Sequence, residues 1–196
     1  MTPTHESHKD HYANLTEEQL TMMLPDGKLY PGVRETPKRV SKMWLNELTS
    51  GYHVDVDALF KTFDDTGGYG GMVVVKGIPV RSQCEHHLVP FVGYAHVGYF
   101  PGDRVVGLSK IARVVDAFSR RLQIQERLTQ EVHDALHRNL DPRGVIVVVE
   151  AEHLCMTLRG TQAPGTTTIT TAISGMFRDK GESAKDEFIH LIKNGR

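Results

Sequence analysis

The sequence predicts an α+β fold in which helices come first, then a strand pair, two helices and a second strand pair. The resulting ββααββ antiparallel sheet carries two helices on one face. Three observations lead there. The β-branched run over 72–80 leads into a turn at Cys84, and 91–100 reads as its partner strand. Ile111, Val114, Val115, Phe118 and Leu122 form one helical stripe, and Leu128, Val132, Ala135, Leu136 and Leu140 a second. The run 145–149 begins a long strand, and the threonine-rich stretch 166–173 reads as the last one.

At 196 residues the chain has room for one sizeable core with an appendage, which divides it into an N-terminal tail and helices over 1–53 and a main domain over 54–196. A hydrophobic content of 39%, a charged content of 24% and a net charge of −1 argue against a nucleic-acid partner. An anionic ligand must then be met by a local cluster of Lys and Arg. Two cysteines make no disulfide scaffold and serve better as thiolates in a reducing compartment, so the expected location is the cytoplasm. No apolar run approaches the roughly 20 residues of a membrane span, and no signal-peptide core stands at the start.

Within the appendage, 1–14 reads as a disordered tail despite His5, His8 and His11, and 15–24 as a helix starting near Thr16. Thr36 as cap and Pro37 at the first helical position open another helix, whose stripe is Val40, Met43, Trp44 and Leu48 and which Gly51 ends. A short helix is expected over 54–63, and the glycines of 67–71 form a connector that fits no dinucleotide fingerprint. Ser109 falls near the start of the helix that follows the 101–104 turn, with Lys110 and Arg113 on its first turn. A helix start flanked by two cations can hold phosphate, and the alternative is a solvated basic face. Gln125 and Glu126 place an amide and a carboxylate at the start of the next helix. Residues 184–193 close the chain with an amphipathic helix.

The chemistry concentrates at Ser82-Gln83-Cys84-Glu85-His86-His87. Cys84 and His87 have the Cys-x-x-His spacing that lets two donors close on one ion from a tight turn, and both suit zinc. Each of the two cysteines has a histidine close by, Cys155 lying in His153-Leu154-Cys155-Met156. With Cys155 the candidate ligands number three, which leaves open the fourth position that a catalytic zinc keeps for water or substrate. His86 and His153 then remain for proton transfer. Carrying the strand periodicity of 145–149 forward to 159 puts His153, Cys155, Thr157 and Arg159 on one face.

These residues closely resemble the GTP cyclohydrolase I family in CEHHLVPF (84–91), GLSKIARVV (107–115), SRRLQIQERLT (119–129), VVVEAEHLCM (147–156) and RGTQAPGTTTITTA (159–172), with TPKRVSKMW (36–44) upstream. The resemblance implies a tunnelling fold whose subunits join sheets edge to edge, as a homodecamer of two pentamers. It also implies conversion of GTP and water to formate and 7,8-dihydroneopterin triphosphate. By the same resemblance Cys84, His87 and Cys155 match the ligands of Zn2+, and His86 and His153 the acid/base pair. Ser109, Lys110, Arg113 and Arg159 match ribose- and triphosphate-contacting positions, and Gln125 and Glu126 the guanine-binding pair. The expected scheme is zinc-assisted attack of water on C8 with His153 protonating N7, and His86 serving ring opening or the later ribose steps. Gly70-Gly71, Thr166-Thr167 and the 27–32 stretch depart from the family pattern. The alternatives are a queuosine-pathway enzyme of the same fold, disfavoured by CEHH, and a non-catalytic zinc-stabilised nucleotide-binding ring, disfavoured by His86 and His153.

Overall fold

The protein was analysed as a computed structural model that describes residues 5–64, 66–179 and 182–194, in two compact units that divide between Ser50 and Gly51. In the first unit, α1 (His5–Met23) packs against α2 (Thr36–Lys42), which runs on in wider helical turns through Met43–Leu48. The tail expected over 1–14 is therefore helix from His5 onward, and residues 1–4 lie outside the described residues. Thr16 does not begin that helix. Its hydroxyl donates to the Tyr12 carbonyl one turn back at 2.8 Å, a mid-helix arrangement, and the Ser41 hydroxyl ties α2 to the Lys9 carbonyl at 2.8 Å. Thr36 is the first helical residue, Glu35 occupying the cap position, and Pro37 falls in the first turn.

In the second unit, the helix expected over 54–63 is replaced by a short 3-10 turn at Asp57–Leu59 and strand β1 (Thr62–Phe63). The Asp55 carboxylate accepts from the Ala58 amide, an arrangement that caps the short turn, and the Asp57 carboxylate is held by Arg138 at 2.7 Å and Asn139 at 2.8 Å. Then come β2 (Val73–Cys84), β3 (Pro90–Phe100), β4 (Val105–Val106), α3 (Leu108–Ser119), β5 (Leu122–Gln123), α4 (Gln125–Leu140) and β6 (Gly144–His153). One helical turn, α5 (Leu154–Thr157), precedes β7 (Thr167–Gly175), α6 (Met176–Asp179) and α7 (Glu182–Asn194). The sheet order is β5-β2-β3-β6-β7, antiparallel except for the short parallel contact of β5 with the end of β2.

Side-chain alternation along β6 sorts the core. Val145, Val147, Val149 and Ala151 belong to the core on the α3/α4 face, while Ile146 and Val148 meet Phe177 and Phe188 of α6 and α7 on the other. The continuous apolar run at 145–149 thus reflects burial on both faces. Two helices cover one face as expected, and the C-terminal helices add partial cover to the other. Among the described residues, no helix is long and apolar enough to cross a membrane.

Strand closeness fixes one glycine. A Cβ on Gly93 of β3 would lie 1.9 Å from the Glu150 carbonyl oxygen of the neighbouring β6, a collision with backbone that no rotamer relieves. Gly93→Ala should therefore destabilise the protein by about 1–3 kcal/mol, the usual cost of overpacking. Thermal unfolding of the variant beside wild type checks this, and an unchanged midpoint would contradict it.

Candidate active site

Cys84 ends β2, and the chain reverses within 85–89 to start β3. The Cys84 carbonyl accepts from the His87 amide at 3.3 Å and the Leu88 amide at 2.8 Å, and the Cys84 amide donates to the Val89 carbonyl at 3.0 Å. This closure is tight enough to put Leu88 at φ +53, a left-handed conformation rare for a leucine. Its effect is to fold His87 back onto Cys84, bringing Nδ1 to 3.6 Å from Sγ.

The third donor arrives from the far side of β3. The β3–β6 register sets Phe91 opposite His153, so the end of β6 lies beside the start of β3. There the expected strand stops. Residues 154–157 form a helical turn, closed by the Leu158 amide on the Leu154 carbonyl at 3.0 Å, so the period-2 placement of Cys155, Thr157 and Arg159 on one strand face does not hold. The turn nevertheless delivers Cys155: one donor atom each from Cys84, His87 and Cys155 all lie within 4.8 Å of one another. Zn–S and Zn–N bonds of about 2.3 and 2.05 Å at a tetrahedral angle put S and N about 3.6 Å apart, so the Cys84–His87 spacing suits zinc. Burial and the neighbouring Cys84 thiol push the Cys155 thiol above its ordinary pKa, with Arg159 pulling the other way. A divalent cation would reverse that, since thiolates are its ligands.

Among the histidines, His86 projects outward with its side chain 64% exposed, Nε2 3.8 Å from Glu85 Oε1. His153 is half-buried. Its ring stacks on Phe91 with centroids 4.8 Å apart and planes 10° from parallel, and Nε2 sits 2.8 Å from Gln125 Oε1. Burial lowers the His153 pKa, and the Glu126 carboxylate opposes that.

The start of α4 reaches this cluster through β5. Cys84 pairs with Gln123, and the Glu85 amide donates to the Gln123 carbonyl at 3.0 Å. Arg127 then donates twice to Glu85 Oε2, at 2.8 and 2.6 Å, clasping the Cys84 turn to the first turn of α4. Sequence reasoning missed Glu85, Arg127 and the Phe91 stack. Opposite charges were visible at 85 and 127, but only the β2–β5 contact makes them neighbours. Glu126 is exposed, whereas Gln125 is 1% exposed with its amide bonded to protein.

Of the remaining predicted residues, those on α3 are not gathered here. Ser109 and Lys110 lie in the first turn of α3, but Arg113, expected there too, falls at its middle; the other end of that 12-residue helix leads into Arg121, whose carbonyl accepts from Ser82 of β2. At about 1.5 Å per residue, Lys110 stands about 14 Å and Arg113 about 9 Å along α3 from its Ser119 end, the end that leads toward β2. Arg159 is exposed in the loop after α5, near Cys155. A cavity of about 440 Å³ lined by Tyr69, Arg104, Asp141 and Arg143 lies away from the cysteines.

The family model described as GTP cyclohydrolase I matches residues 16–193. The chain belongs to the GTP cyclohydrolase I family. It is 54% identical over 163 residues to GTP cyclohydrolase 1 of Brevibacillus brevis, covering 83% of this chain and 86% of that one. It is 52% identical to the Mycobacterium tuberculosis protein of the same description, covering 82% and 79%, and 50% identical to that of Chlorobaculum tepidum, covering 83% and 72%. The solved archaeosine synthase QueF-Like in the apo form overlays with a TM-score of 0.45 and 20% identity, over 53% of this chain and 93% of that one, a likeness too slight to bear on chemistry. Membership in the GTP cyclohydrolase I family accords with the ββααββ order and the Cys-His-Cys cluster described above.

The Glu85–Arg127 clasp yields an expectation of its own. Arg127→Leu removes a tie between the two elements that carries full charge on both sides, and it leaves every metal-donor atom in place. Metal affinity should fall about 10- to 100-fold, as for other groups that orient a ligand set. Zinc retention against a competing chelator measures it, and wild-type retention would show that the turn holds its own shape.

Proposed function

We propose that this chain is a zinc-dependent GTP cyclohydrolase that hydrolyses GTP at C8, releasing formate and forming 7,8-dihydroneopterin triphosphate. The observation that carries the reading is the convergence of Cys84, His87 and Cys155, from two turns 71 positions apart in sequence, within 4.8 Å of one another and beside His153. Family membership supplies the substrate. When bound by these three residues, zinc supplies Lewis acidity that makes water a nucleophile near neutral pH.

The chain's own groups do the rest. His153, at the end of β6, exchanges a proton with N7 of the guanine, and the exposed His86 serves the later ring-opening and ribose steps. Glu126 accepts hydrogen bonds from guanine N1–H and the 2-amino group, a donor pair adenine does not present. Lys110, at the open start of α3 with Ser109, and Arg113 further along it hold triphosphate together with Arg159.

Lys110 and Arg113 are set back along α3 from their own Cys84 cluster, and a second copy could bring its α3 cations to that cluster. Among the described residues β7 has no partner on its outer side, and β2 is paired there only at Gln83 and Cys84. Exposed ladder edges of this length favour pairing with another strand, and edge-to-edge closure of like subunits gives a ring. The reading is therefore a homo-oligomer with each site completed by a neighbour, and the family resemblance implies two five-membered rings.

Incubation of metal-loaded protein with GTP, followed by formate assay and fluorescence after oxidation, tests the activity; no formate would overturn it. Two variants separate metal from proton transfer. Cys155→Ser should lose tight zinc and all turnover, whereas His153→Ala should keep stoichiometric zinc and lose about 10²–10⁴ in rate. Metal content and formate release on the same samples decide, and metal-free His153→Ala beside zinc-replete Cys155→Ser would reverse the ligand assignment. A mixing experiment addresses shared sites. Lys110→Ala and Cys155→Ser, each deficient alone, should regain activity when unfolded and reassembled together, up to about a quarter of sites at equal proportions. No recovery would place the whole site within one chain.

A further inference from the structure

Gln125 is the first residue of α4 and is 1% exposed, yet its amide carries two donor protons and an acceptor oxygen. All are accounted for by protein. Nε2 lies 3.0 Å from the Val149 carbonyl of β6, 3.0 Å from the Thr168 carbonyl of β7 and 3.1 Å from Thr170 Oγ1. Carbonyls only accept, so the group facing them must be the NH2. Turned over, the amide would set an oxygen against two carbonyl oxygens with no proton between them, in a site closed to water.

The hydroxyls agree with this orientation. The Thr129 hydroxyl donates to the Gln125 carbonyl at 2.8 Å, which leaves its oxygen to accept from Thr170 across 2.6 Å. With its proton turned to Thr129, Thr170 keeps a lone pair for the Gln125 amide. The proton order of the network is thus set from its deep end, and it closes at the one remaining contact, Gln125 Oε1 to His153 Nε2 at 2.8 Å.

We propose that Gln125 is a positioning residue for His153: it holds the imidazole proton on Nε2, so that Nδ1 is the nitrogen through which His153 exchanges a proton with substrate. An amide oxygen accepts, so Nε2 must carry hydrogen, and a neutral imidazole has no second proton for Nδ1. The Phe91 ring, stacked 10° from parallel, keeps the imidazole plane from tilting out of that bond. The assignment of the substrate atom as guanine N7 rests on the function proposed above. Whichever way the proton moves, one bond at Nδ1 breaks or forms, one at N7 does the converse, and Nε2–H is untouched.

The same geometry separates Gln125 from Glu126. Glu126 is exposed and free to meet a base, whereas the Gln125 side chain is enclosed and has no unbonded donor to offer one. A guanine-binding role for the Gln125 amide is replaced by this indirect one.

The test is 15N NMR of the full-length, zinc-loaded protein labelled at histidine, with His153 assigned by the resonances missing from His153→Asn. The neutral ring should be in the Nε2–H form, and a resonance set for Nδ1–H would overturn the proposal. Gln125→Met keeps the apolar bulk and removes the acceptor. It should give a mixture of tautomers and a kcat lower by about 10- to 100-fold, with KM for GTP within about threefold and zinc content unchanged. A raised KM with unchanged kcat would make Gln125 a substrate contact and overturn it. If Gln125→Met does not fold, Thr170→Val takes its place: the two carbonyl acceptors remain, and Nε2–H should persist. The spectrum needs no substrate, so failure of the proposed GTP reaction would register as absent formate release and leave the tautomer result standing.

Discussion

The antiparallel ladder between β3 and β6 is the constraint on which the site depends. It runs unbroken from Phe91 opposite His153 to Phe100 opposite Gly144. Cys84 and Cys155 are far apart in sequence, and only this register brings the turn before β3 alongside the turn after β6. A slip of one residue would send every β6 side chain to the opposite face and carry His153 away from Phe91. Such a slip is opposed on both sides of the sheet, because the odd residues of 145–151 and the even residues 146 and 148 are buried in different cores. The double burial of β6 is therefore a positional device as well as a source of stability.

On that frame the site is held at three levels. Backbone bonds close the Cys84 turn at the cost of a left-handed Leu88, and the Glu85–Arg127 pair ties it to α4. The pair is only partly buried, so its Coulombic contribution is modest and its value is geometric: both guanidinium donors converge on one carboxylate oxygen. The thiols form the third level. Partly desolvated and beside Cys84, the Cys155 thiol resists ionisation without a counter-charge, and a divalent cation would convert that resistance into binding.

Much of this was legible in the sequence, for identifiable reasons. The long strands and the helices α3 and α4 have clean periodicity, and the Cys-x-x-His spacing is local. What failed was extrapolation and long-range pairing. The period-2 pattern carried past His153 predicted the right neighbour for Cys155 by the wrong geometry, since nothing in Leu154-Cys155-Met156-Thr157 announces a single helical turn closed by later backbone bonds. The expected tail over 1–14 failed because polar composition was weighed without the packing of α1 on α2, which supplies the stability its own sequence lacks. Gln125 was legible as an amide at a helix start, but its burial is created by β6 and β7, which follow it in the chain.

The α3 cations and the sheet edges pose the last question, and they answer it together. At one end the β3–β6 register collects candidate metal donors and histidines, and from near that end α3 runs back through Arg113 and Lys110, which sit about 9 and 14 Å along it from Ser119. Cations set back in this way are better placed to serve a neighbour's site. Among the described residues the outer edge of β7, and that of β2 before Gln83, have no strand partner, a hazard that isolated domains blunt with charge or proline. The Thr167-Thr168-Ile169-Thr170-Thr171 stretch of β7 carries neither. Both features have one resolution in the proposed ring: pairing the edges removes the hazard, and the neighbour so recruited can bring its α3 cations toward a Cys84 cluster that is not its own. On that account assembly is part of the site's chemistry, and the edge strands are as much functional elements as the histidines.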